Sequence, residues 1–402
     1  MVNILILLSD TGGGHRASAE ALQAEFSAHR HAAAFRTTIV DLLSDHLGWP
    51  LNYLPRGYPV VTDRAAWLWK FLWHSTARRG IATPVNRWVA SYSRQRLVRM
   101  FRQHAPDLII STHPLVQELA LRTLKGMPLD APYVTVVTDL VDVHPLWYHH
   151  EADLSFVASD EAYARARAHG LQPAQLRRCG LPVRPAFLHQ TRDRPTARRS
   201  LGMTPELPAA LIVGGGDGIG PIEAIAQQMA ARFAEDRKPA GQLVIICGRN
   251  QRLHQRLTRQ SWPVPVHVRG FVDNMADWMS ACDCMVTKAG PGAISEALVL
   301  GLPMVLSGCI PGQEEGNIPY VVENGAGVYC VEPATIATLV KGWFEPPQTE
   351  LATMSQRALG LAQPSAAASI VNEIVAYFDA TGRAYRDKQP GRASTALALH
   401  RA

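Results

Sequence analysis

The sequence predicts an α/β protein made of two doubly wound, parallel-sheet domains that face each other across a cleft. Three observations lead to this prediction. Strand-like apolar runs alternate with helical stretches in both halves of the 402 residues, a pattern typical of parallel sheets. A glycine-rich turn follows the first strand of each half. A segment rich in proline and arginine separates the halves, as expected of an interdomain linker.

The apolar runs place the strands and divide the chain. In the first half, strands are expected at residues 4–8, 37–40, 108–111, 133–137 and 154–157, with helical stretches such as 17–28 and 115–124 between them. In the second half, strands are expected at residues 210–213, 243–247, 266–269, 284–287 and 304–306. We therefore expect an N-terminal domain (1–185), a linker (186–207), a C-terminal domain (208–365), a last helix that packs back on the N-terminal domain (366–386) and a disordered tail (387–402).

The composition is that of a folded chain, with 47% apolar and 18% charged residues. No apolar run approaches the roughly 18 residues that span a bilayer. The short N-terminal apolar run is interrupted by Asp10 and has no basic segment before it, which is not typical of a signal peptide. The six cysteines include no CxxC pair, which favours free thiols. We therefore expect a cytoplasmic protein without a metal centre.

Charge is concentrated in one segment. The chain carries a net charge of +6, which favours an anionic partner. Residues 56–102 contain ten basic residues, one acid and eight aromatic residues, four of them tryptophan. Nucleic acid would also attract arginines, but no RNA-binding motif is present. Tryptophan and arginine both suit a boundary between an apolar and an aqueous phase, so the segment predicts a membrane surface rather than nucleic acid.

The first glycine turn, at Gly12 to Gly14, is followed directly by His15. Such a turn between a strand and a helix lets backbone N–H groups approach a ligand. It is neither a phosphate-binding Walker loop nor a good dinucleotide fingerprint, which would need a glycine at Ala17. His15 has two interpretations, a helix-capping or packing residue and a general base at the mouth of the cleft.

The second half contains three candidate binding loops. Gly214, Gly215 and Gly216 follow its first strand and suit either a pyrophosphate or a tight turn. A second turn includes Lys288, Gly290, Pro291 and Gly292 and begins a helix whose dipole suits a diphosphate, with Glu296 behind it as a candidate ribose acceptor. A third loop, 311–317, includes Gln313, Glu314 and Asn317, whose amides and carboxylate suit sugar hydroxyls.

Taken together and in this order, the motifs resemble the monogalactosyldiacylglycerol synthase family. The resemblance rests on residues 9–21 (SDTGGGHRASAEA), 138–149 (from TDL to HPLWYH), 287–292 (TKAGPG) and 311–317 (PGQEEGN), and it covers roughly residues 1 to 380. It implies the GT-B fold, with acceptor on the N-terminal and nucleotide sugar on the C-terminal domain. It also implies transfer of galactose from UDP-galactose to diacylglycerol with inversion, without cofactor or metal.

The resemblance further implies roles for particular residues of this chain. His15 matches the proposed base, and Asp10 is a candidate to orient it. Glu296 matches a ribose-binding acid, Gln313 and Glu314 match donor-sugar positions, and Phe271, Val272 and Met275 fall at the uracil pocket. Gly13, Gly14, Asp139, His144 and Trp147 fall on the acceptor side, with Trp147 tied to acceptor or anionic lipid. Membrane contacts are expected from Trp67, Trp69, Trp73, Arg78 and Arg79.

The implied partners are diacylglycerol, UDP-galactose and an anionic phospholipid surface, and the expected location is the cytoplasmic face of the cell membrane. The sequence is compatible with both a monomer and a homodimer. Glu315 stands where the plant pattern has a small residue, so UDP-glucose is kept as an alternative donor. A nucleotide-dependent oxidoreductase explains two Rossmann-like units but not Gly248 and Arg249, where an acid should follow the second strand. A non-catalytic membrane-binding protein explains 56–102 but not three glycine-rich loops.

Overall fold

The computed structural model describes residues 1–77, 79–190 and 193–381, with side chains for all of these except 59–60, 63–64, 66, 79–83 and 85–86. Two expected features therefore lie outside the described residues: Arg78 as a membrane contact and the tail 387–402. The same holds for 382–386 of the expected last helix and for the side chain of Arg79.

Twelve strands are present among the described residues. They are β1 Val2–Leu8, β2 Phe35–Asp41, β3 Leu108–Ser111, β4 Tyr133–Val136, β5 Leu154–Val157, β6 Leu176–Arg178, β7 Ala209–Val213, β8 Gln242–Ile246, β9 Val266–Arg269, β10 Cys284–Thr287, β11 Met304–Leu306 and β12 Gly327–Tyr329. They form two six-stranded sheets, in the orders β2-β1-β3-β4-β5-β6 and β12-β11-β10-β7-β8-β9. Every neighbouring pair is parallel. The predicted pair of doubly wound sheets is confirmed.

The connections between consecutive strands of each sheet contain α-helices, as is usual in parallel sheets, except the one from β4 to β5, which has only the short 3₁₀ helix Pro145–Trp147. The α-helices of the described residues are α1 Gly13–Ala28, α2 Leu42–His46, α3 Leu54–Arg64, α4 Ala66–Thr76, α5 Arg79–His104, α6 Pro114–Leu124, α7 Asp160–Ala168, α8 Pro185–Leu188, α9 Arg194–Ser200, α10 Ile222–Phe233, α11 Gln251–Arg259, α12 Met275–Ala281, α13 Pro291–Val299, α14 Asn317–Glu323, α15 Pro333–Phe344, α16 Thr349–Leu361 and α17 Ala366–Ala380. None of them is long and apolar enough to cross a bilayer.

The sequence explains the central strands well. β1 and β3 are almost wholly buried runs rich in leucine and isoleucine, and all four residues of β4 are buried as well, which suits sheets covered by helices on both faces. β6 and β12 were not expected. Each has three residues and lies at a sheet edge, where only one residue of three is buried, so neither has an apolar run to predict it.

The last helix returns to the first domain. Ile370, Val371 and Ile374 of α17 are buried against the strands of the first sheet, in one core cluster with Ile4 and Phe26. The chain therefore crosses between the domains twice, once before α8 and once before α17.

The two crossings touch each other. Gly180, before the first crossing, has a φ of +89°, and a Cβ atom there would lie 2.6 Å from the Cβ of Gln363 before the second. Only a glycine fits this close approach.

The two sheets point the carboxyl ends of their strands at one cleft. The loops after β1 and β4 face it from the first domain, and the loops after β7, β10 and β11 face it from the second. This is where ligands bind in open α/β sheets.

Candidate active site

The cleft contains a cavity of about 270 Å³ that both domains line. The glycine turns of the two domains meet across it. A Cβ atom on Gly216 would lie 3.9 Å from Cα of Gly13, and one on Gly292 would lie 3.8 Å from Cα of Gly14. Backbone therefore faces backbone at the narrowest point, and the cavity is kept open for a ligand by the absence of side chains.

His15 lies in the first turn of α1 and lines this cavity. Its Nδ1 atom lies 2.8 Å from the carbonyl oxygen of Thr112 and 2.7 Å from Oγ1 of Thr138. Since a carbonyl only accepts, Nδ1 bears the proton, and the Nε2 atom keeps its electron pair. Burial lowers the pKa of His15 to about 4, so the imidazole is neutral near pH 7. The geometry suits a general base.

Asp10 does not orient His15. Its two carboxylate oxygens each lie 2.7 Å from the guanidinium of Arg16, one from Nε and the other from a terminal nitrogen, at a partly exposed position. Thr112 and Thr138 hold the imidazole instead. The expectation failed because the chain leaves β1 just before Asp10, and the side chain turns along α1 toward Arg16.

Asp139 lines the cavity beside this group and is 3% exposed. Its Oδ2 atom accepts a hydrogen bond from Nε1 of Trp147 at 2.6 Å. Burial raises the pKa of Asp139 to about 7, and the Trp147 hydrogen bond opposes the rise. Trp147 is fully buried, so it cannot meet a lipid directly as the sequence suggested. Its contact is with Asp139.

His144 lies outside the cavity, where it contacts helix α4. Its Nε2 atom lies 3.2 Å from the carbonyl oxygen of Trp73 and 3.3 Å from Oγ1 of Thr76, both on α4. Its ring packs edge-on against Trp73, with ring centroids 4.5 Å apart. The expected contact of His144 with an acceptor is therefore replaced by a contact that ties α4 to the first domain.

The second domain presents a cation and the start of helix α13 to the cavity. The Lys288 ammonium forms an ion pair with Glu314, which is 2% exposed and also accepts from the backbone N–H of Ile310 at 2.8 Å. Helix α13 begins with Pro291 directly after Gly290, so its first-turn N–H groups are directed at the cavity. This combination suits a diphosphate.

Glu296 lies one turn into α13 and lines the cavity. Its Oε1 atom accepts a hydrogen bond from Arg184 at 2.9 Å. Burial raises the pKa of Glu296, and the Arg184 guanidinium opposes the rise. Arg184 belongs to the first crossing between the domains, so the ribose-acid candidate is held by a residue that no motif pointed to.

The remaining donor-side residues divide into two groups. Those that line the cavity are Gly214, Gly215, Gly216, Phe271, Val272, Met275 and Gln313. Asn317 does not line it. Asn317 is 1% exposed and donates from Nδ2 to the carbonyl oxygen of Ala289 at 2.9 Å, so it joins two loops. Among the described residues, no group of three or more His, Cys, Asp or Glu side chains is arranged to hold a metal ion.

Two family models match the chain. One is described as monogalactosyldiacylglycerol (MGDG) synthase and matches residues 15–183, and the other is the glycosyltransferase family 28 C-terminal domain and matches residues 209–372. A probable monogalactosyldiacylglycerol synthase 2 of Oryza sativa subsp. japonica is 45% identical over 92% of this chain and 80% of its own length. Monogalactosyldiacylglycerol synthase 1 of Arabidopsis thaliana is 43% identical over 92% of this chain and 70% of its own.

The chain belongs to the monogalactosyldiacylglycerol synthase family. The family predicted from the sequence motifs is confirmed.

Solved structures confirm the GT-B fold of this family member. Acinetobacter baumannii MurG superposes with a TM-score of 0.58 at 15% identity and covers 93% of this chain and 99% of its own. A Staphylococcus aureus MnaA–UDP structure gives 0.62 at 13% identity, with 94% and 97% covered. The calicheamicin glycosyltransferase CalG4 gives 0.55 at 14% identity, with 94% and 98% covered. At these identities the likeness concerns the fold alone.

The relatives overturn one expectation. Both the rice and the Arabidopsis monogalactosyldiacylglycerol synthases are named as chloroplastic enzymes. The predicted location at the cytoplasmic face of the cell membrane is therefore wrong.

The site of this family member also contains residues that sequence reasoning missed. Tyr58, Thr138, Arg184 and Arg249 all line the cavity. Arg249 lies over the exposed ring of Phe271, 5.2 Å from its centroid, and binds Asp217 at 3.0 Å. The glycine motifs gave no signal for these residues, because they come from other segments that only the fold brings together.

The tryptophans expected at the membrane differ in exposure. Trp67 is 76% exposed. Trp69 is half-buried between Tyr58 and Trp73, at ring-centroid distances of 5.1 and 6.1 Å. Trp73 packs against His144 and against the backbone at Gly312 of the second domain. Only Trp67 of these three is free to meet a lipid surface.

Proposed function

We propose that the chain transfers galactose from UDP-galactose to the free hydroxyl of 1,2-diacylglycerol, with inversion at the anomeric carbon. One observation carries the proposal: a neutral histidine held by its Nδ1 proton faces, across one cavity, a lysine and a helix start suited to a diphosphate. Membership of a family whose relatives are named monogalactosyldiacylglycerol synthases supports the substrates.

The proposed reaction is a single displacement. The diacylglycerol hydroxyl attacks C1 of the sugar while His15 takes its proton on Nε2. The bond from C1 to the diphosphate oxygen breaks on the opposite face, so the configuration inverts. The negative charge that develops on UDP is stabilised by Lys288 and by the N–H groups at the start of α13. We propose that these groups suffice without a metal ion.

The decisive assay offers purified protein both UDP-galactose and UDP-glucose, with diacylglycerol in anionic liposomes. We expect UDP-galactose to give a galactolipid whose anomeric proton has the β coupling in NMR, since UDP-galactose is α-linked. Preferential use of UDP-glucose would replace galactose in the proposal. A product of α configuration would exclude the single displacement.

We also propose that the face formed by residues 49–92 binds a lipid surface. Fifteen large apolar side chains are exposed among the described residues, and eight of them lie in this segment. These are Trp49, Tyr53, Leu54, Trp67, Phe71, Leu72, Trp88 and Tyr92. Exposed arginines, such as Arg56 and Arg87, lie among them. Aromatic side chains that enter the headgroup region and arginines that meet anionic lipid explain this concentration.

Replacing both Trp67 and Phe71 by alanine is expected to weaken binding to phosphatidylglycerol liposomes at least tenfold. Each large apolar side chain transferred from water contributes about 1.5–3 kcal/mol, and tenfold corresponds to about 1.4 kcal/mol. Liposome flotation measures the change. Tyr329→Ala, at an exposed aromatic residue of β12 in the other domain, should bind as the wild type does. Binding that ignores phosphatidylglycerol content and salt would exclude the electrostatic part of the proposal.

A further inference from the structure

Gln313 of the second domain is held from the first domain at both ends of its amide. The hydroxyl of Tyr58, on α3, donates to Oε1 of Gln313 at 3.0 Å. Gln313 also acts on Asp139, which follows β4 and lines the same cavity: a side-chain hydrogen bond with Gln313 is the last of the contacts that lower the pKa of that carboxyl. One side chain of the loop after β11 is therefore fixed by two residues that lie 81 positions apart in the opposite domain.

These two contacts settle the orientation of the amide. A glutamine has two acceptor lone pairs on oxygen and two N–H donors. An ionised carboxylate only accepts, so the amide nitrogen faces Asp139, and Oε1 is left to accept from the Tyr58 hydroxyl. One donor and one acceptor remain, side by side on a residue that lines the cavity. That pair matches a sugar hydroxyl group, which both accepts and donates.

Asp139 is itself buried and hydrogen-bonded within the first domain. It is 3% exposed and accepts from Nε1 of the fully buried Trp147 at 2.6 Å and from the backbone N–H of His144. A carboxylate held by donors inside the first domain is a fixed acceptor for the Gln313 amide.

We propose that Tyr58 and Asp139 are positioning residues that hold the Gln313 amide in the orientation that meets hydroxyl groups of the donor hexose. The inference rests on the proposed function of the cavity as a nucleotide-sugar site. It assigns to the N-terminal, acceptor-side domain a part in recognising the sugar of the donor.

The hydrogen bond between Asp139 and Gln313 depends on the charge of Asp139. The titratable described residues that act on it are Glu314 of the second domain and Tyr58 and Tyr148 of the first. Glu314 is paired with Lys288, and burial keeps both tyrosines neutral by raising their pKa values. Burial raises the pKa of Asp139 to about 7. As pH falls below 7, the protonated carboxyl has less acceptor capacity to share between Trp147 and Gln313, so UDP-galactose binding should weaken.

Calorimetry with UDP-galactose and with UDP, on the full chain, tests the proposal. Tyr58→Phe and Asp139→Asn should each weaken UDP-galactose binding about 3- to 10-fold, the size of one hydrogen bond, while UDP binding changes less than twofold. Each substitution combined with Gln313→Ala should bind UDP-galactose no more weakly than Gln313→Ala alone does. Contacts that act through Gln313 are already lost when Gln313 is replaced. In the wild type UDP-galactose binding should weaken between pH 8 and 6, and in Asp139→Asn this dependence should disappear.

Three results would overturn the proposal: unchanged UDP-galactose binding in both single variants, a parallel loss of UDP binding, or effects that add to that of Gln313→Ala. Tyr58→Phe decides the matter if Asp139→Asn does not fold, because it removes one hydroxyl only. Wild-type protein that makes no glycolipid from UDP-galactose would instead contradict the proposed function. The same variants with UDP-glucose would then decide the role of Tyr58 and Asp139.

Discussion

Replacement of His15 by alanine is expected to reduce kcat at least about a hundredfold, the usual size of a lost general base, while UDP binds nearly as before. In the wild type, the contacts of Nδ1 with Thr112 and Thr138 orient His15 as the proton acceptor. Among the described residues of the variant, no other base is held in this way to accept the proton of the attacking hydroxyl. Because burial lowers the pKa of His15 to about 4, the base is already neutral from pH 6 to 8. Titration of His15 should therefore not shape the rate over that range.

Two further variants separate chemistry from folding. His15→Asn retains an N–H that can donate to Thr112 but has no base, so its stability should stay close to that of the wild type and its turnover should fall as in His15→Ala. His29→Ala, at the opposite end of α1, should keep full activity. Near-normal turnover by His15→Asn would remove His15 from the proposed mechanism.

Replacement of Glu314 by alanine is expected to reduce the free energy of unfolding by about 3–5 kcal/mol, the effect of breaking a buried ion pair by removing one partner. The substitution leaves the Lys288 ammonium without its carboxylate and the buried N–H of Ile310 without its acceptor. Urea unfolding followed by tryptophan fluorescence measures the change. UDP-galactose binding should weaken in the same variant, because Lys288 loses its fixed position.

Glu315→Ala is the matched control, one residue further along the same loop. Glu315 pairs with Lys70 at 3.1 Å, but both side chains are about half exposed. Such a pair contributes less than about 1 kcal/mol, so the stability should hardly change. Equal losses in the two variants would contradict the assignment of Glu314 and Lys288 as the structural pair of the donor site.

The sequence predicted those strands that carry a run of core residues. All ten expected strands are present within two residues of their predicted bounds. Eight of them are almost wholly buried runs between turn residues, whereas β2 and β9, at sheet edges, are only partly buried. Of the four edge strands, β6 and β12 were beyond such reasoning, since three residues of which only one is buried leave no apolar pattern. Their pairing comes from the neighbouring strand rather than from their own composition.

The site was predictable where a motif carries its own geometry. A glycine turn between a strand and a helix fixes both the backbone path and the cleft-facing position of His15. Side-chain direction was not predictable in this way: Asp10 turns to Arg16, and Trp147 turns inward to Asp139. Tyr58 and Arg184 could not be found either, because each meets its partner across the cleft, far away in the sequence.

The touching pair of crossings at Gly180 and Gln363 gives the molecule a mechanical property. Because the two connections lie side by side, they form a single pivot between the two domains. A few degrees of rotation there become a much larger displacement at the far loops, because displacement grows with distance from the pivot. A bulky residue at Gly180 would collide with Gln363 and separate the two crossings. This would misalign His15 and Lys288 although the new side chain contacts neither.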